Sequence, residues 1–190
     1  MSIIHVSSLR KSYGKKTVLD DINFEIAEGS VVGLLGPNGC GKTTLIKILT
    51  GLIKDHSGTV RIDNEEPGPY SKSIVAFLPD KSYLPDWMKP KDAIGYFSDF
   101  YADFDREKAE KMVRDFGLDE NQRLKTMSKG QQEKLNLILV MSRKAKLYIL
   151  DEPLGGLDPA ARSFVLDLIM NNYAKNSTVL ISTHLIGDVE

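Results

Sequence analysis

The sequence predicts an α/β fold with a mainly parallel sheet, a small antiparallel β subdomain and an inserted helical subdomain. Three observations support this prediction. Four nearly continuous apolar runs are typical of strands in a parallel sheet that is covered on both faces. Two other short runs have the character of half-buried antiparallel strands, one of them with clear alternation. A long stretch between two of the apolar runs has helical character and is too long for a simple crossover.

The strands of the predicted parallel sheet are short segments with few polar residues. They lie at residues 31–35, 74–78, 147–150 and 179–181. In the predicted antiparallel part, Ile22, Phe24 and Ile26 alternate with polar residues, and residues 59–62 form a second short strand. The strands therefore divide into two groups with different expected burial.

Helices are predicted between these strands. Residues 42–51 follow the first buried strand. Residues 105–116 place apolar side chains on one face, and Gly117 is suited to end that helix. Asp158 and Pro159 have the residue types of an N-cap and a first helical turn.

Chain length and composition fit one globular domain that carries an insertion. The chain has 190 residues, of which 42% are hydrophobic and 27% are charged, as is usual for a globular protein. A chain of this length can bury a sizeable core. We therefore expect one domain over residues 1–190, with the helical subdomain at about residues 84–143.

Charge and apolar patterning exclude several function classes. The 25 Lys and Arg residues balance 26 Asp and Glu residues, so the net charge of -1 provides no general attraction to nucleic acid. The single cysteine, Cys40, excludes an internal disulfide and a multi-cysteine zinc site. No apolar stretch approaches the ~20 residues that span a bilayer, and the N-terminus lacks the pattern of a signal peptide. We expect a cytoplasmic chain that binds no nucleic acid and reaches a membrane only through a partner.

Residues 36–43 match the phosphate-loop pattern in full. They are Gly36, Pro37, Asn38, Gly39, Cys40, Gly41, Lys42 and Thr43, followed by Thr44 in the helix. The preceding strand and following helix are the context that this motif requires. The glycines allow backbone N–H groups to face phosphate oxygens, and the helix N-terminus adds partial positive charge. Lys42 is suited to bind the β- and γ-phosphates and Thr43 to bind Mg²⁺, so the sequence predicts a P-loop NTPase core.

Two carboxylates end the apolar strand at 147–150. Because successive strand residues point to opposite faces, we expect Asp151 and Glu152 to have different tasks. Asp151 is assigned to Mg²⁺, and Glu152 to polarising a water in line with the γ-phosphate. The alternative is a pair of solvated acids after a strand. His184 follows another sheet strand, where α/β proteins bind ligands, and can bridge the γ-phosphate to Glu152.

Residues 127–131 form a second motif. Ser128 can N-cap a helix, and Gln131 can complete a capping box. Together with the phosphate loop and the acidic strand end, this segment resembles the ABC signature, and the resemblance to ATP-binding subunits of ABC transporters covers nearly the whole chain. The resemblance implies an ATPase that uses ATP and Mg²⁺ and powers transport through integral membrane permease subunits. It also implies that Ser128, Gly130 and Gln131 bind the γ-phosphate of ATP held by a second ATP-binding subunit.

The resemblance assigns further residues and marks two departures. It implies that Tyr13 stacks on adenine, that residues 155–158 couple two sites across a dimer, and that His184 is the switch histidine. Asp80 stands where the family usually has glutamine, and we expect it to contact Mg²⁺ and the attacking water. Lys129 replaces a usually small signature residue. Both departures resemble exporter-type ABC ATPases of drug or peptide resistance.

The resemblance also implies partners and a location. We expect a dimer bound to permease subunits at the cytoplasmic face of the membrane, with a permease contact near the Asp80 loop. Tyr83, Trp87 and Met88 are candidates for that contact. Family members continue beyond the position of Glu190, so we expect a C-terminally truncated sequence.

Three alternatives remain at this stage. A soluble ABC ATPase acting on DNA or ribosomes usually carries coiled coils, tandem cassettes or basic extensions, which this sequence lacks. A catalytically weak regulatory subunit is disfavoured by Lys42, Asp151 and Glu152, although Asp80 and Lys129 keep it open. A phosphate-loop kinase or GTPase gives no reason for the signature segment.

Overall fold

The computed structural model describes residues 1–184, except the side chains of residues 159 and 160, and contains two β-sheets with helices packed against them. The strands are β1 (Ser2–Tyr13), β2 (Lys16–Ala27), β3 (Val31–Leu35), β4 (Ser57–Ile62), β5 (Val75–Leu78), β6 (Leu147–Asp151) and β7 (Thr178–Thr183). The helices are α1 (Lys42–Leu49), α2 (Pro69–Ile74), α3 (Pro90–Phe100), α4 (Arg106–Asp115), α5 (Lys129–Met141) and α6 (Pro159–Asn172). The predicted α/β fold with a parallel and a small antiparallel sheet is confirmed.

The antiparallel sheet has the order β2-β1-β4. Its central strand, β1, was not predicted from the sequence, in which no strand was expected over residues 2–13. The reason is local irregularity: the pairing of β1 with β2 changes register between Val6 and Leu9 and at three other points. Such bulges break the alternation of apolar and polar residues by which a strand is recognised.

The parallel sheet has the order β3-β7-β6-β5. Every residue of β6 and β7 is buried, as the apolar runs predicted. The expectation of two covered faces is wrong for β3, where Val31 and Leu35 are exposed. Within residues 1–184, β3 is an edge strand, and its described core contacts are made by Val32 and Leu34 on the opposite face.

Two hydrophobic clusters lie on opposite sides of the parallel sheet. Leu147 and Ile149 of β6 pack into one cluster with β1 and α1, whereas Tyr148 and Leu150 pack into the other with the helices. This division follows from the two-residue period of a strand. Residues 84–143 contain α3, α4, α5 and a short 3₁₀ helix at Leu124–Thr126, with irregular segments between them. Their separation as a subdomain stays a prediction.

Parallel pairing brings four strand ends to one edge of the sheet. Since β3, β5, β6 and β7 run in the same direction, the residues that follow them emerge together. These are the phosphate loop after β3, Asp80 after β5, Glu152 after β6 and His184 after β7.

A small polar cluster joins the two sheets. Lys146, just before β6, and Tyr70 of α2 both donate hydrogen bonds to Asp63 after β4. These bonds favour the ionised carboxylate and hold the pKa of Asp63 below its usual value. The cluster therefore ties the end of the antiparallel sheet to the start of a central parallel strand.

Arg143 is a buried cation that connects the helices to β5. Its guanidinium binds both carboxylate oxygens of Asp103, at 2.9 and 3.1 Å, and donates to the backbone oxygens of Val75 and Ser73 at 2.6 and 2.8 Å. It also lies 3.9 Å from the ring centroid of Tyr101. The side chain is 3% exposed, so these partners replace its hydration.

Replacing this cation should lower the free energy of unfolding. We expect Arg143→Met to destabilise the chain by about 3 kcal/mol, because Asp103 and two backbone oxygens lose a charged donor. Arg143→Lys should also lower the free energy of unfolding, but by less than Arg143→Met, because lysine keeps the positive charge and lacks the planar fork of arginine. Urea denaturation measures both values.

The neighbouring surface pair provides the control. Lys144 lies 3.1 Å from Asp105, and its side chain is exposed. Lys144→Met should therefore cost less than about 1 kcal/mol. Equal costs for Arg143→Met and Lys144→Met would contradict a stabilising role for the buried cation.

Candidate functional site

A cavity of about 600 Å³ lies along the phosphate loop. It is lined by segments far apart in sequence: the loop itself, Asp80, Lys129, Glu152 with the turn that follows it, and His184. An adjoining cavity of about 320 Å³ shares Asp80, Lys129, Glu152 and Gly155 with the first. The structure thus brings most of the sequence-predicted site residues to one place.

Close packing at Gly41 shapes the phosphate loop. Gly41 precedes α1 with φ 105°, a conformation that favours glycine. A Cβ there would lie 3.0 Å from a methyl group of Leu19 and 3.1 Å from the oxygen of Val18. In the described chain no side chain caps α1, so its first N–H groups are left available to an anion.

Cys40 has a packing role in the loop. Its side chain fills the space beside Gly36, where a Cβ would come within 2.7 Å of the sulfur. The residue is exposed. Cys40 therefore contributes to the packing of the phosphate loop.

Lys42 is held inside the loop rather than in solvent. Its side chain is 7% exposed, and its Nζ donates to the backbone oxygens of Gly36 and Pro37 at 2.7 and 3.3 Å. The same nitrogen lies 3.2 Å from Oε1 of Glu152. A phosphate bound in the loop would compete with these oxygens for the N–H donors of the Lys42 ammonium group.

Glu152 lies between two basic groups. Its Oε1 contacts Lys42, and its Oε2 lies 2.8 Å from Nδ1 of His184. The backbone of Glu152 has φ 51°, which is uncommon outside glycine, and its N–H donates to Ser182 Oγ at 2.9 Å. Unfavourable backbone conformations of this kind cluster at functional sites. Glu152 and His184, both predicted site residues, are therefore in contact.

Asp151 has different surroundings. It is buried, accepts a hydrogen bond from Ser182 Oγ at 2.6 Å, and lines the adjoining cavity with Asp80. The carboxylates of Asp151 and Glu152 therefore contact different groups, because β6 ends at Asp151 and the backbone of Glu152 leaves the strand conformation with φ 51°. Their individual chemical roles stay predictions.

The oxygen donors fit a nucleotide-bound Mg²⁺ rather than an independent metal cage. Thr43 and Asp80 line the main cavity, and Asp151 lies in the adjoining one. Within residues 1–184, no group of three or more His, Cys, Asp and Glu side chains is arranged to hold a metal. Mg²⁺ commonly takes one or two carboxylates and completes its shell with phosphate oxygens and water, which suits this donor set.

Tyr13 lies apart from the described cavity lining. It ends β1, is exposed, and has Lys11 Nζ 4.9 Å from its ring centroid. Val18, from the same hairpin, lines the cavity instead. Val18 was not predicted from the sequence, because a valine in a strand has no pattern that separates ligand contact from packing. Stacking of Tyr13 on adenine stays a prediction.

The signature segment forms the predicted capping box. Ser128 Oγ accepts from the Gln131 N–H at 3.2 Å, and Gln131 Oε1 accepts from the Ser128 N–H at 2.8 Å. Ser128, Gly130 and Gln131 do not line the main cavity in the described structure, whereas Lys129 does. The motif therefore presents Ser128 and Gly130 to solvent beside, rather than inside, the phosphate-loop cavity.

Among the described helices, none combines the length and apolar character needed to cross a bilayer.

Comparisons with known proteins add to this geometry. The family described as "ABC transporter" matches residues 19–155. YdbJ of Bacillus subtilis (strain 168), named an uncharacterized ABC transporter ATP-binding protein, is 35% identical over 201 residues, covering 99% of this chain and 63% of YdbJ. SkfE of the same organism, named a SkfA peptide export ATP-binding protein, is 32% identical over 190 residues, covering 97% of this chain and 80% of SkfE.

Solved structures show the same fold. A structure titled putative ABC transporter (ATP-binding protein) from Pyrococcus furiosus superposes with a TM-score of 0.82 and 26% identity, covering 96% of this chain and 91% of that chain. The chain spans less than two thirds of the length of YdbJ. The family match includes the phosphate loop, the signature segment and the acidic strand end, and extends over more than half of the sequence. The chain therefore belongs to the ABC transporter family.

Proposed function

We propose that this chain is an ATP-binding and ATP-hydrolysing subunit that powers transport across a membrane through permease partners. The observation that carries the proposal is Glu152, whose carboxylate lies 3.2 Å from Lys42 and 2.8 Å from His184 beside the phosphate loop. The cavity of about 600 Å³ is within the size range of small-molecule sites. Family membership supports ATP as its ligand.

Each basic and acidic group has a task in this proposal. The loop N–H groups and Lys42 bind the β- and γ-phosphates, and phosphate replaces Glu152 as the partner of Lys42. Glu152 is then free to take a proton from the attacking water, while His184 holds its other oxygen. Thr43, Asp80 and Asp151 would hold Mg²⁺, which neutralises phosphate charge when bound.

A shared site across two chains is part of the proposal. Ser128, Gly130 and Gln131 lie outside the phosphate-loop cavity of their own chain and around a helix N-terminus. They are therefore available to the nucleotide of a second chain. A two-fold pair would form two equivalent sites, because the same surface is present on both partners.

The membrane partner is proposed to bind four exposed aromatic side chains on and just before α3, called here the aromatic surface: Tyr83, Trp87, Tyr96 and Phe100. The ring centroids of Tyr96 and Phe100 lie 4.9 Å apart. All four side chains are exposed, with Trp87 at 67% and Phe100 at 68%. Tyr83 and Phe100 also line a mostly apolar groove of about 360 Å³. Clustered exposed apolar side chains often mark interaction sites. Met88, expected at this contact, is instead buried in the hydrophobic core beneath the helices.

Export is the proposed direction of transport. The support is the relative named for SkfA peptide export, which is 32% identical to this chain. Attachment to permease subunits would place the chain at the cytoplasmic face of the membrane.

Glu152→Gln tests the hydrolytic part. The amide keeps the size of the side chain but cannot accept the proton from water, so we expect kcat for ATP hydrolysis to fall at least about 100-fold. ATP binding, measured by nucleotide titration, should persist. Glu107→Gln, which changes an exposed glutamate on α4, is the matched control and should keep wild-type turnover. Near-normal hydrolysis by Glu152→Gln would contradict the assignment.

Mixing two inactive variants tests the shared site. Ser128→Arg should block hydrolysis in the partner's site, and Lys42→Ala should weaken phosphate binding in its own site. A hybrid dimer has one site with both motifs intact, so the mixture should regain activity that neither variant shows alone. Turnover is measured at fixed total protein.

The control mixture contains Lys42→Ala and a Lys42→Ala, Ser128→Arg double variant. It has no intact phosphate loop and should stay inactive. Absence of recovery in the first mixture, once hybrid dimers are demonstrated, would argue that each site is built within one chain.

Changes in the aromatic surface test the permease contact. Trp87→Ser and Phe100→Ser should reduce recovery of a multispanning membrane protein with the tagged chain by at least about ten-fold, because apolar contact area is lost. ATP hydrolysis by the purified chain should remain within about two-fold. Met170→Ser, at an exposed apolar position on α6, is the control and should leave recovery unchanged. Unchanged recovery with both surface variants would place the contact elsewhere.

A further inference from the structure

We infer that Lys11 is a positioning residue for Tyr13: its ammonium group fixes the Tyr13 ring at the end of β1, where the ring can stack on the base of a nucleotide held in the phosphate loop. The inference rests on the proposed function and on the expected stacking of Tyr13 on adenine. It goes beyond both, because neither the phosphate-loop motif nor the family resemblance assigns a role to Lys11.

Lys11 is a buried cation on the inner face of β1. Leu9 and Lys11 are 0% and 6% exposed, whereas Arg10 and Ser12 are exposed to solvent. Because strand residues alternate between faces, Leu9, Lys11 and Tyr13 lie on the same face of β1. A buried charge is costly unless other groups replace its hydration, so the contacts of this ammonium indicate what it does.

The Lys11 ammonium has two kinds of contact. Its Nζ donates to the backbone oxygen of Asp55 at 2.5 Å and lies 2.9 Å from Oδ2 of the same residue. The same nitrogen lies 4.9 Å from the centroid of the Tyr13 ring, within the range of about 6 Å for a cation–π interaction. Lys11 therefore joins the Tyr13 ring to the segment between α1 and β4.

Tyr13 lies at the exposed end of the β1–β2 hairpin. It pairs with Lys16, so only two residues separate it from its partner strand. Its side chain is 51% exposed, which leaves ring surface available for stacking. An exposed side chain loses rotamer freedom when a ligand binds to it, and this loss weakens binding. The Lys11 contact restricts the ring before a nucleotide binds, and therefore lowers that entropic cost.

The hairpin contacts the phosphate loop close to Lys11. Lys11 pairs with Leu19 across the hairpin, and a Cβ on Gly41 would lie 3.0 Å from a methyl group of Leu19. Tyr13 is two residues farther along the same strand face, or about 7 Å. The ring therefore lies beside the loop rather than inside it, and the base of a nucleotide extends outward from its bound phosphates.

The other partner of Lys11 is also connected to the phosphate loop. Asp55 lies between β4 and α1, the helix that begins in that loop. In this segment the N–H groups of Leu52 and Ile53 donate to the oxygen of Lys47 in α1, at 2.8 and 3.0 Å. Because a backbone oxygen of Asp55 accepts from Lys11, this contact does not depend on an exposed side chain. Lys11 thus links the base-stacking ring to the helix proposed to bind phosphate.

Titration with ATP in EDTA tests this link, since removal of the metal prevents hydrolysis. We expect Tyr13→Ala to weaken ATP binding at least about ten-fold, and Lys11→Met to weaken it about three- to ten-fold. The Lys11→Met, Tyr13→Ala double variant should bind ATP within about two-fold of Tyr13→Ala, because Lys11 acts through the ring. Unchanged ATP binding by Lys11→Met, or losses that multiply in the double variant, would overturn the inference.

Inorganic tripolyphosphate is the ligand control, because it has the phosphates of ATP but no base. Its affinity is measured by its competition with ATP. Lys11→Met should bind tripolyphosphate within about two-fold of the wild type, since the ring contacts the base alone. Equal losses for ATP and tripolyphosphate would show that Lys11 supports the whole site, and would contradict a role in positioning Tyr13.

Three further variants separate positioning from folding, which thermal melting monitors. Lys11→Arg keeps a cation beside the ring and should bind ATP within about two-fold of the wild type. Lys11→Gln can still donate to the Asp55 oxygen but has no charge, so it should weaken ATP binding about three-fold or more. It provides the test if Lys11→Met does not fold. Arg10→Met removes an exposed cation and should leave ATP binding unchanged. Wild-type affinity in Lys11→Gln would contradict the role of the charge.

Steady-state hydrolysis with Mg²⁺ gives an independent readout. Stacking holds the base equally in the ground state and the transition state, so the expected effect is on KM rather than on kcat. Lys11→Met should raise KM for ATP about three- to ten-fold and leave kcat within about two-fold of the wild type. A fall in kcat with unchanged KM would contradict the inference.

The outcomes separate this inference from the function on which it rests. A wild-type chain that binds neither ATP nor tripolyphosphate would refute the proposed function. Wild-type ATP affinity in Tyr13→Ala would refute base stacking by Tyr13, and this inference with it, while leaving the phosphate loop as the ATP site. ATP binding that depends on Tyr13 but not on Lys11 would refute this inference alone.

Discussion

The pairing of β6 with β7 at the centre of the parallel sheet is the constraint on which the site depends. It sets Asp151 opposite Ser182, which lets the Ser182 hydroxyl bind the Asp151 carboxylate and accept the N–H of Glu152. It also brings the end of β7 beside Glu152, so that His184 can reach its carboxylate. Since β3 pairs with β7 in the same direction, the phosphate loop emerges at the same edge. Backbone hydrogen bonding thus positions groups that are more than 140 residues apart in sequence.

Lys42 and Glu152 are both largely buried, and their opposite charges allow both to be accommodated at the edge of the sheet. Lys42 has little exposure, and leaving its charge unpaired would be costly. The loop carbonyl oxygens and Glu152 satisfy it in the structure, and a phosphate can take their place. The same contact keeps Glu152 occupied before a nucleotide binds. In our proposal, nucleotide binding therefore both fills the loop and releases the carboxylate that acts on water.

Arg143 lies between the aromatic surface and the strand β5, which ends at the proposed nucleotide site. Arg143 donates to the backbone oxygens of Ser73 in α2 and Val75 at the start of β5, and it also lines the groove beside the aromatic surface. β5 then leads to Asp80, which lines the cavity. A partner bound at the aromatic surface would thus lie close to Arg143, which contacts the strand that ends at the proposed nucleotide site. Displacing Arg143 would leave Asp103 without its bidentate partner.

Residue spacing alone predicts the local parts of this protein: the phosphate loop with its glycines, the capping box of Ser128 and Gln131, and the acidic end of β6. Each of these motifs depends on the spacing of residues that are close in sequence, so each can be recognised from the sequence directly. The tertiary structure determines which residues line the cavity, which are exposed and which are buried in the core. It placed Lys129 rather than Ser128 in the cavity, exposed one face of β3 and buried Met88. It also added Val18 to the cavity lining. Such outcomes depend on how strands and helices pack across long sequence separations, and residue type alone does not specify which side of an element meets a ligand, a core or water.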